Sequence, residues 1–184
     1  MKLAIVVGHN ARAQGAVRPD TGETEFRWNS HLAQLIEEEA RLFPRITVET
    51  FFRTPAGTYR AEIERVYRAT DDWGADATCE LHFNSHTSRA ATGTEVLSSG
   101  SEASLRFSIA LQDRMLAALK LKDRGVKVRR SGRGSESLIS GRAPAVLIEP
   151  FFGSSPKGQQ ATDEAHEKRA LARAALLAAQ DAFL

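Results

Sequence analysis

The chain has 184 residues, of which 42% are hydrophobic and 26% are charged. This composition is typical of one globular domain with a single core, and it excludes an intrinsically disordered chain. The formal net charge of +2 at pH 7 is too small to indicate nucleic-acid binding by itself. The single cysteine, Cys79, excludes an intramolecular disulfide, and its apolar neighbours favour a buried thiol over a reactive one.

The N-terminus lacks the pattern of a secretory signal peptide, because Met1 and Lys2 lead directly into an apolar segment typical of a core strand. The sequence also has no uninterrupted apolar run of ~18 residues, the length that a membrane span requires. We therefore expect a protein that is made in the cytoplasm and does not insert into a membrane.

Strand patterns and helix patterns alternate along the chain. Strands are predicted over residues 3–7, 46–52, 76–84, 93–97 and 145–151. Helices are predicted over residues 25–43, 59–73, from Ser101 onwards, and 162–183. A segment rich in Gly, Ser and Arg, residues 125–142, is predicted to be a loop. The alternation predicts an α/β fold: a single three-layer domain with a mixed or largely parallel sheet and helices on both faces.

The first helix has the clearest boundaries in the sequence. Thr24 is predicted to cap its N-terminus, and Pro44 is predicted to end it. Its predicted inward stripe consists of Trp28, Leu32, Leu35, Ile36 and Leu42. Glu25 would then stand at the first position of this helix.

Four side chains that can bind a metal or transfer a proton occur where an α/β fold forms its site. His9 follows the first strand and His82 lies near the end of the third, while Glu25 opens the first helix and Glu149 lies in the last strand. Taken singly, each is more often a structural residue. Together, two histidines and one glutamate supply the three ligands of a catalytic zinc site, and the other glutamate supplies a base.

The surroundings of these residues form short motifs in a fixed order. They are IVVGH at residues 5–9 with GA at 15–16, EFRWN at 25–29, ELHFN at 80–84 and PAVLIE at 144–149. With these motifs the sequence resembles the zinc-dependent N-acetylmuramoyl-L-alanine amidases of the amidase 3 type, over nearly the whole chain. The lack of a signal-peptide pattern and of a separate wall-binding domain also resembles the compact lytic enzymes of phages, the endolysins, so we expect the protein to reach the cell wall only after release or delivery.

The resemblance implies a specific site and reaction. His9, Glu25 and His82 would hold zinc, and Glu149 would be the catalytic acid/base. Residues 1–184 would form a single catalytic amidase domain, active as a monomer on bacterial peptidoglycan. The bond cut would be the amide between N-acetylmuramic acid and L-alanine.

The sequence departs from the family pattern in two places. Asn10 and Ala11 follow His9 where the family has further glycines, which leaves the shape of that loop open. Glu80 stands where the family often has a small hydroxyl residue, and strand alternation points it to the same side as His82. A carboxylate at that position can orient a ligand, or it can face water or pair with an arginine.

Basic residues are concentrated in one segment near the predicted loop. Residues 122–142 contain Lys122, Arg124, Lys127, Arg129, Arg130, Arg133 and Arg142, against only Asp123 and Glu136. Such a run is usually a solvated surface; the functional alternative is attraction to the carboxylates and phosphates of the cell wall. Nucleic acid is disfavoured as a partner, because no aromatic platform is interleaved with these charges.

Two alternative functions remain open from the sequence. The first is a non-catalytic module that binds peptidoglycan, against which the presence of all four site residues argues. The second is a zinc peptidase or amidohydrolase that acts on another amide, which the sequence does not exclude.

Overall fold

The computed structural model describes residues 1–132 and 134–184. The strands are β1 Lys2–Val7, β2 Thr47–Phe52, β3 Ala77–Leu81, β4 Thr94–Ser98, β5 Asp123–Val128 and β6 Ala145–Glu149. The helices are α1 Glu25–Ala40, α2 Tyr59–Trp73, α3 Glu102–Leu119, α4 Ser135–Ile139, α5 Pro156–Gln160 and α6 Ala165–Phe183.

The six strands form one mixed sheet in the order β2-β1-β3-β6-β4-β5. Neighbouring strands are parallel, except that β4 runs antiparallel to β6. The carboxyl ends of β1, β2, β3 and β6 therefore meet at one edge of the sheet, and the amino end of β4 lies at the same edge. Crossover loops at this edge can bring distant residues together.

Helices cover both faces of the sheet, as predicted. On one face, Leu3, Ile5 and Val7 pack in a core that includes side chains of α1, α3 and α6. On the other face, Val6 packs against α2, and α4 covers β4 and β6 through Leu138. This alternation along β1 follows from the two-residue period of a strand that is buried on both sides. The predicted three-layer α/β fold is confirmed.

The first helix is shorter than predicted. Thr24 accepts a hydrogen bond from the backbone N–H of Arg27 (3.4 Å) and caps α1 as expected, but α1 ends at Ala40 rather than at residue 43. The backbone N–H of Leu42 instead bonds to the carbonyl of Glu39, a tighter turn that precedes Pro44. Leu42 consequently lies 65% exposed, so its predicted place on the inward stripe is wrong.

The segment predicted to be a loop, residues 125–142, contains regular structure. Its first part belongs to β5, which pairs with β4 at the edge of the sheet, and its second part contains the short helix α4. An edge strand tolerates charged residues because one side faces water, so β5 lacks the apolar run that identifies a central strand. The last predicted helix, 162–183, is also shorter, since α6 begins at Ala165 after a capping box formed by Glu164 and Glu167.

Candidate metal centre

His9 is held at the site by the turn that ends β1. Its backbone has φ of 66°, in the left-handed region, which turns the chain sharply after the strand. A Cβ atom on the preceding Gly8 would lie 2.4 Å from the carbonyl oxygen of Leu81 and 2.5 Å from His82 Nε2. Gly8 is therefore required for the close approach of this turn to His82.

Glu25 lies between the two histidines, at the first position of α1. Its Oε2 is 3.1 Å from His9 Nε2, and its Oε1 is 2.7 Å from His82 Nδ1. The backbone N–H groups of Ala16 and Phe83 each donate to this carboxylate at 3.2 Å. The side chain is buried and held from four directions, which gives the site a fixed geometry.

The three residues fit a metal ion. Their ligand atoms all lie within 4.8 Å of one another, and two imidazoles with one carboxylate form a typical donor set for catalytic zinc. His9 Nε2 is not aligned for a hydrogen bond with Glu25, so it is a buried polar atom with no hydrogen-bond partner among the described residues. A cation between the three side chains would satisfy this nitrogen.

The electrostatics of the cluster favour positive charge next to Glu25. Burial alone would raise the pKa of Glu25, but its contacts with His82 and His9 outweigh burial and hold that pKa well below its usual value. Burial alone would lower the pKa of His82, but its hydrogen bonds to Glu25 and Glu80 raise it to about 10. A metal ion or a protonated imidazole can supply this positive charge.

Glu80 contacts the same histidine from the opposite side. Its Oε1 lies 2.9 Å from His82 Nε2 and 3.7 Å from Arg53 Nη1, and its Oε2 accepts a hydrogen bond from the Tyr67 hydroxyl at 2.9 Å. The side chain is completely buried. Strand alternation correctly predicted its side, and the side chain contacts both His82 and an arginine.

The loop after His9 is closed by a side chain instead of by further glycines. Asn10 is buried, and its Oδ1 accepts hydrogen bonds from the backbone N–H groups of Arg12 and Ala13, both at 2.9 Å. Its Nδ2 donates to Glu62 Oε2, also at 2.9 Å. The hydrogen bonds of the Asn10 side chain therefore hold this loop in place.

The fourth predicted residue, Glu149, lies at the same edge of the sheet. It ends β6 and lines a cavity of about 600 Å³ together with His9, Glu25 and His82. The backbone N–H of His82 bonds to the carbonyl of Ile148 at 3.1 Å, so Glu149 follows directly on the neighbouring strand. The structure thus brings all four predicted residues to one cavity.

Sequence reasoning missed two further carboxylates that line this cavity, Glu62 and Glu95. Glu95 of β4 pairs across the strands with Glu149, and its Oε1 accepts a hydrogen bond from Asn84 Nδ2 at 3.1 Å. Its Oε2 contacts Arg124 Nε at 2.7 Å and Lys127 Nζ. A charged residue within the predicted strand, directly before Val96 and Leu97, was the signal that could have identified Glu95.

The basic segment is only partly available to a partner. Arg124 and Lys127 pair with Glu95, and Arg142 pairs with Asp71 (Nε to Oδ2, 3.4 Å). Arg129 and Arg130 are exposed, and Arg129 also lines the cavity, whereas Arg133 lies outside the described residues.

No helix among the described residues is long and apolar enough to cross a membrane.

Several solved structures share this fold. The catalytic domain of CwlV, an N-acetylmuramoyl-L-alanine amidase from Bacillus (Paenibacillus) polymyxa var. colistinus, matches with a TM-score of 0.80 at 23% identity, covering 97% of this chain and 96% of that one. An N-acetylmuramoyl-L-alanine amidase from Clostridium difficile 630 matches with a TM-score of 0.83 at 20% identity, covering 97% and 94%. The catalytic domain of an endolysin targeting Clostridia Difficile matches with a TM-score of 0.78 at 24% identity, covering 96% and 97%.

Sequence comparison identifies the family. No curated protein matches the chain. The family profile of the N-acetylmuramoyl-L-alanine amidases of the amidase 3 type, however, matches residues 3–181, nearly the whole chain. The chain therefore belongs to this family of peptidoglycan hydrolases, which cleave the amide bond between N-acetylmuramic acid and L-alanine.

Proposed function

We propose that this amidase works with one zinc ion held by His9, Glu25 and His82, and that Glu149 is its catalytic acid/base. The observation that carries the proposal is the cluster of two imidazoles and one carboxylate, with ligand atoms within 4.8 Å of one another, at the wall of the same cavity as Glu149. We further propose that residues 1–184 form one catalytic domain, since all six strands belong to one sheet.

An amide resists hydrolysis because water is a weak nucleophile and the amine is a poor leaving group. Zinc, when bound, supplies Lewis-acid chemistry that activates water near neutral pH and polarises the amide carbonyl. Glu25, fixed by two backbone N–H groups, keeps the two imidazoles at a constant separation. Three protein ligands would leave the fourth position of a bound zinc ion for water or substrate, as in other catalytic zinc sites.

Glu149 is proposed to move the proton. A carboxylate at the cavity wall accepts a proton from the attacking water and then donates it to the nitrogen of L-alanine, which leaves as a neutral amine. The carboxylate of Glu95, on the facing strand, is engaged by Arg124, Lys127 and Asn84. These contacts lower the pKa of Glu95 against the effect of burial, which makes it a poor proton donor.

The proposed substrate is peptidoglycan, reached after the protein leaves the cytoplasm. Arg129 at the cavity and the neighbouring exposed Arg130 supply positive charge where an acidic stem peptide would lie.

Mass spectrometry of muropeptides digested by the purified protein, with and without a chelator, tests the proposal. The expected products are the disaccharide and a free peptide that begins with L-alanine, formed only without chelator. Cleavage between amino acids of the stem would instead favour a zinc peptidase. Metal analysis of His9→Ala and His82→Ala should show loss of zinc, and full occupancy in both variants would contradict the ligand assignment.

A further inference from the structure

Glu80 is a buried carboxylate with three polar side-chain partners. It lies in β3 with none of its surface exposed, where an unpaired charge would be strongly unfavourable. His82, Tyr67 and Arg53 surround its two oxygens. Of these, only His82 reaches the metal centre, so the contact between Glu80 and His82 links a buried charge to a proposed ligand.

The two nitrogens of His82 face different groups. Nδ1 lies 2.7 Å from Glu25 Oε1, on the side of His9, and Nε2 lies 2.9 Å from Glu80 Oε1. A carboxylate accepts hydrogen bonds, so a proton on Nε2 would be shared with Glu80. Nδ1 then carries the lone pair that a metal ion binds, and the imidazole ring cannot rotate without losing the bond to Glu80.

Arg53 and Glu62 connect Glu80 to the loop that follows His9. Arg53 contacts Glu80 through Nη1 (3.7 Å) and Glu62 Oε2 through Nη2 (3.2 Å). Glu62 accepts the hydrogen bond from the Asn10 amide, and Asn10 in turn closes the loop that follows His9. The two departures from the family pattern, Asn10 and Glu80, are therefore the two ends of one network.

We propose that Glu80 is a positioning residue for His82, and that the chain of contacts Glu80, Arg53, Glu62 and Asn10, hereafter the support network, holds both histidines in the geometry that binds metal. The inference rests on the zinc site of the proposed function. A carboxylate behind a metal-binding histidine fixes the ring orientation and makes the ligand more basic. In this chain that carboxylate is tied to the loop after His9 through Arg53 and Glu62.

Zinc affinity, measured by competition with a chromophoric chelator, tests the role of Glu80. Glu80→Ala should bind zinc 10- to 100-fold more weakly, the usual effect of removing such a partner. Tyr67→Phe is the matched control, because it removes another hydrogen bond to Glu80 (2.9 Å) but leaves the contact with His82. It should destabilise the fold yet lower zinc affinity much less than Glu80→Ala.

A second variant and a second readout separate positioning from folding. Glu80→Gln keeps the size of the side chain and an oxygen that accepts from Nε2–H, so it should recover most of the zinc affinity. Long-range ¹H–¹⁵N spectra of the zinc-loaded wild-type protein should show His82 bound through Nδ1 with the proton on Nε2. Metal binding through Nε2 would overturn the inference even if Glu80→Ala does not fold.

The link between Glu80 and Asn10, the two ends of the support network, is tested by combining variants. Asn10→Ala should also weaken zinc binding, and the double variant with Glu80→Ala should lose less than the product of the two single effects. Independent effects would contradict the support network. Wild-type affinity in folded Glu80→Ala would overturn the positioning role alone, whereas a wild-type protein that binds no zinc would overturn the proposed function as well.

Discussion

Replacing Glu149 with glutamine separates proton transfer from metal binding. The change keeps the size of the side chain at the end of β6 but removes its ability to accept a proton. The proposed ligand set of His9, Glu25 and His82 is complete without Glu149, so we expect the variant to keep about one zinc per chain. General acid–base catalysis contributes roughly 10²- to 10⁴-fold in rate.

We therefore expect Glu149→Gln to lose at least about 100-fold in kcat, equivalent to ~2.7 kcal/mol of transition-state stabilisation. The matched control is Glu95→Gln, since Glu95 is the carboxylate opposite Glu149 on the neighbouring strand and its pKa is lowered by Lys127 and Arg124 against the effect of burial. Its loss in kcat should be much smaller. The assay is the release of free stem peptide from a soluble muropeptide, combined with metal analysis of each variant.

Two results would contradict the proposed role of Glu149. Near-normal turnover of Glu149→Gln would assign proton transfer to another group. Loss of zinc from the same variant would show that Glu149 is a metal ligand, and the three-residue ligand set would then be wrong.

Three further predictions concern the core, the thiol and the basic segment. Trp28→Ala should lower the free energy of unfolding by ~3–5 kcal/mol in urea titrations, because Trp28 is fully buried, whereas Leu42→Ala should change it by less than ~0.5 kcal/mol. Cys79 should resist alkylation in the native protein and react after unfolding, because burial raises the pKa of its thiol. Replacing Arg129 and Arg130 with Gln should slow digestion of intact sacculi more than digestion of a soluble muropeptide. That difference should vanish near 1 M salt, where the Debye length is ~3 Å, and equal losses at every salt concentration would assign the arginines to the catalytic site.

The central part of the fold was predictable because it is strongly patterned. Strands that are buried on both faces appear as continuous apolar runs, and β1 and β6 both carry that pattern. The edge strand β5 and the short helix α4 were not predictable in this way. An edge strand admits charged residues, and five residues give little helical periodicity. Tertiary packing, which single-sequence patterns do not contain, decides such elements.

The candidate site shows the same division. The positions of His9, Glu25, His82 and Glu149 after strands and at a helix start, together with the motifs, predicted that they would share one cavity. The contacts of Glu80 could not be predicted from the sequence, because Arg53 lies at the end of another strand and Tyr67 lies in a helix. Strand alternation predicts the side on which a residue lies, but it does not predict its partner.

Titration of the metal-free protein with zinc tests directly whether cleavage requires one zinc ion per chain. The protein is dialysed against a chelator, zinc is added in steps below one equivalent, and cleavage of the bond between N-acetylmuramic acid and L-alanine is followed by mass spectrometry. We expect no cleavage without metal and a linear rise in activity to a plateau at one zinc per chain. Full activity of the metal-free protein, or a plateau that requires more than one zinc ion, would contradict it.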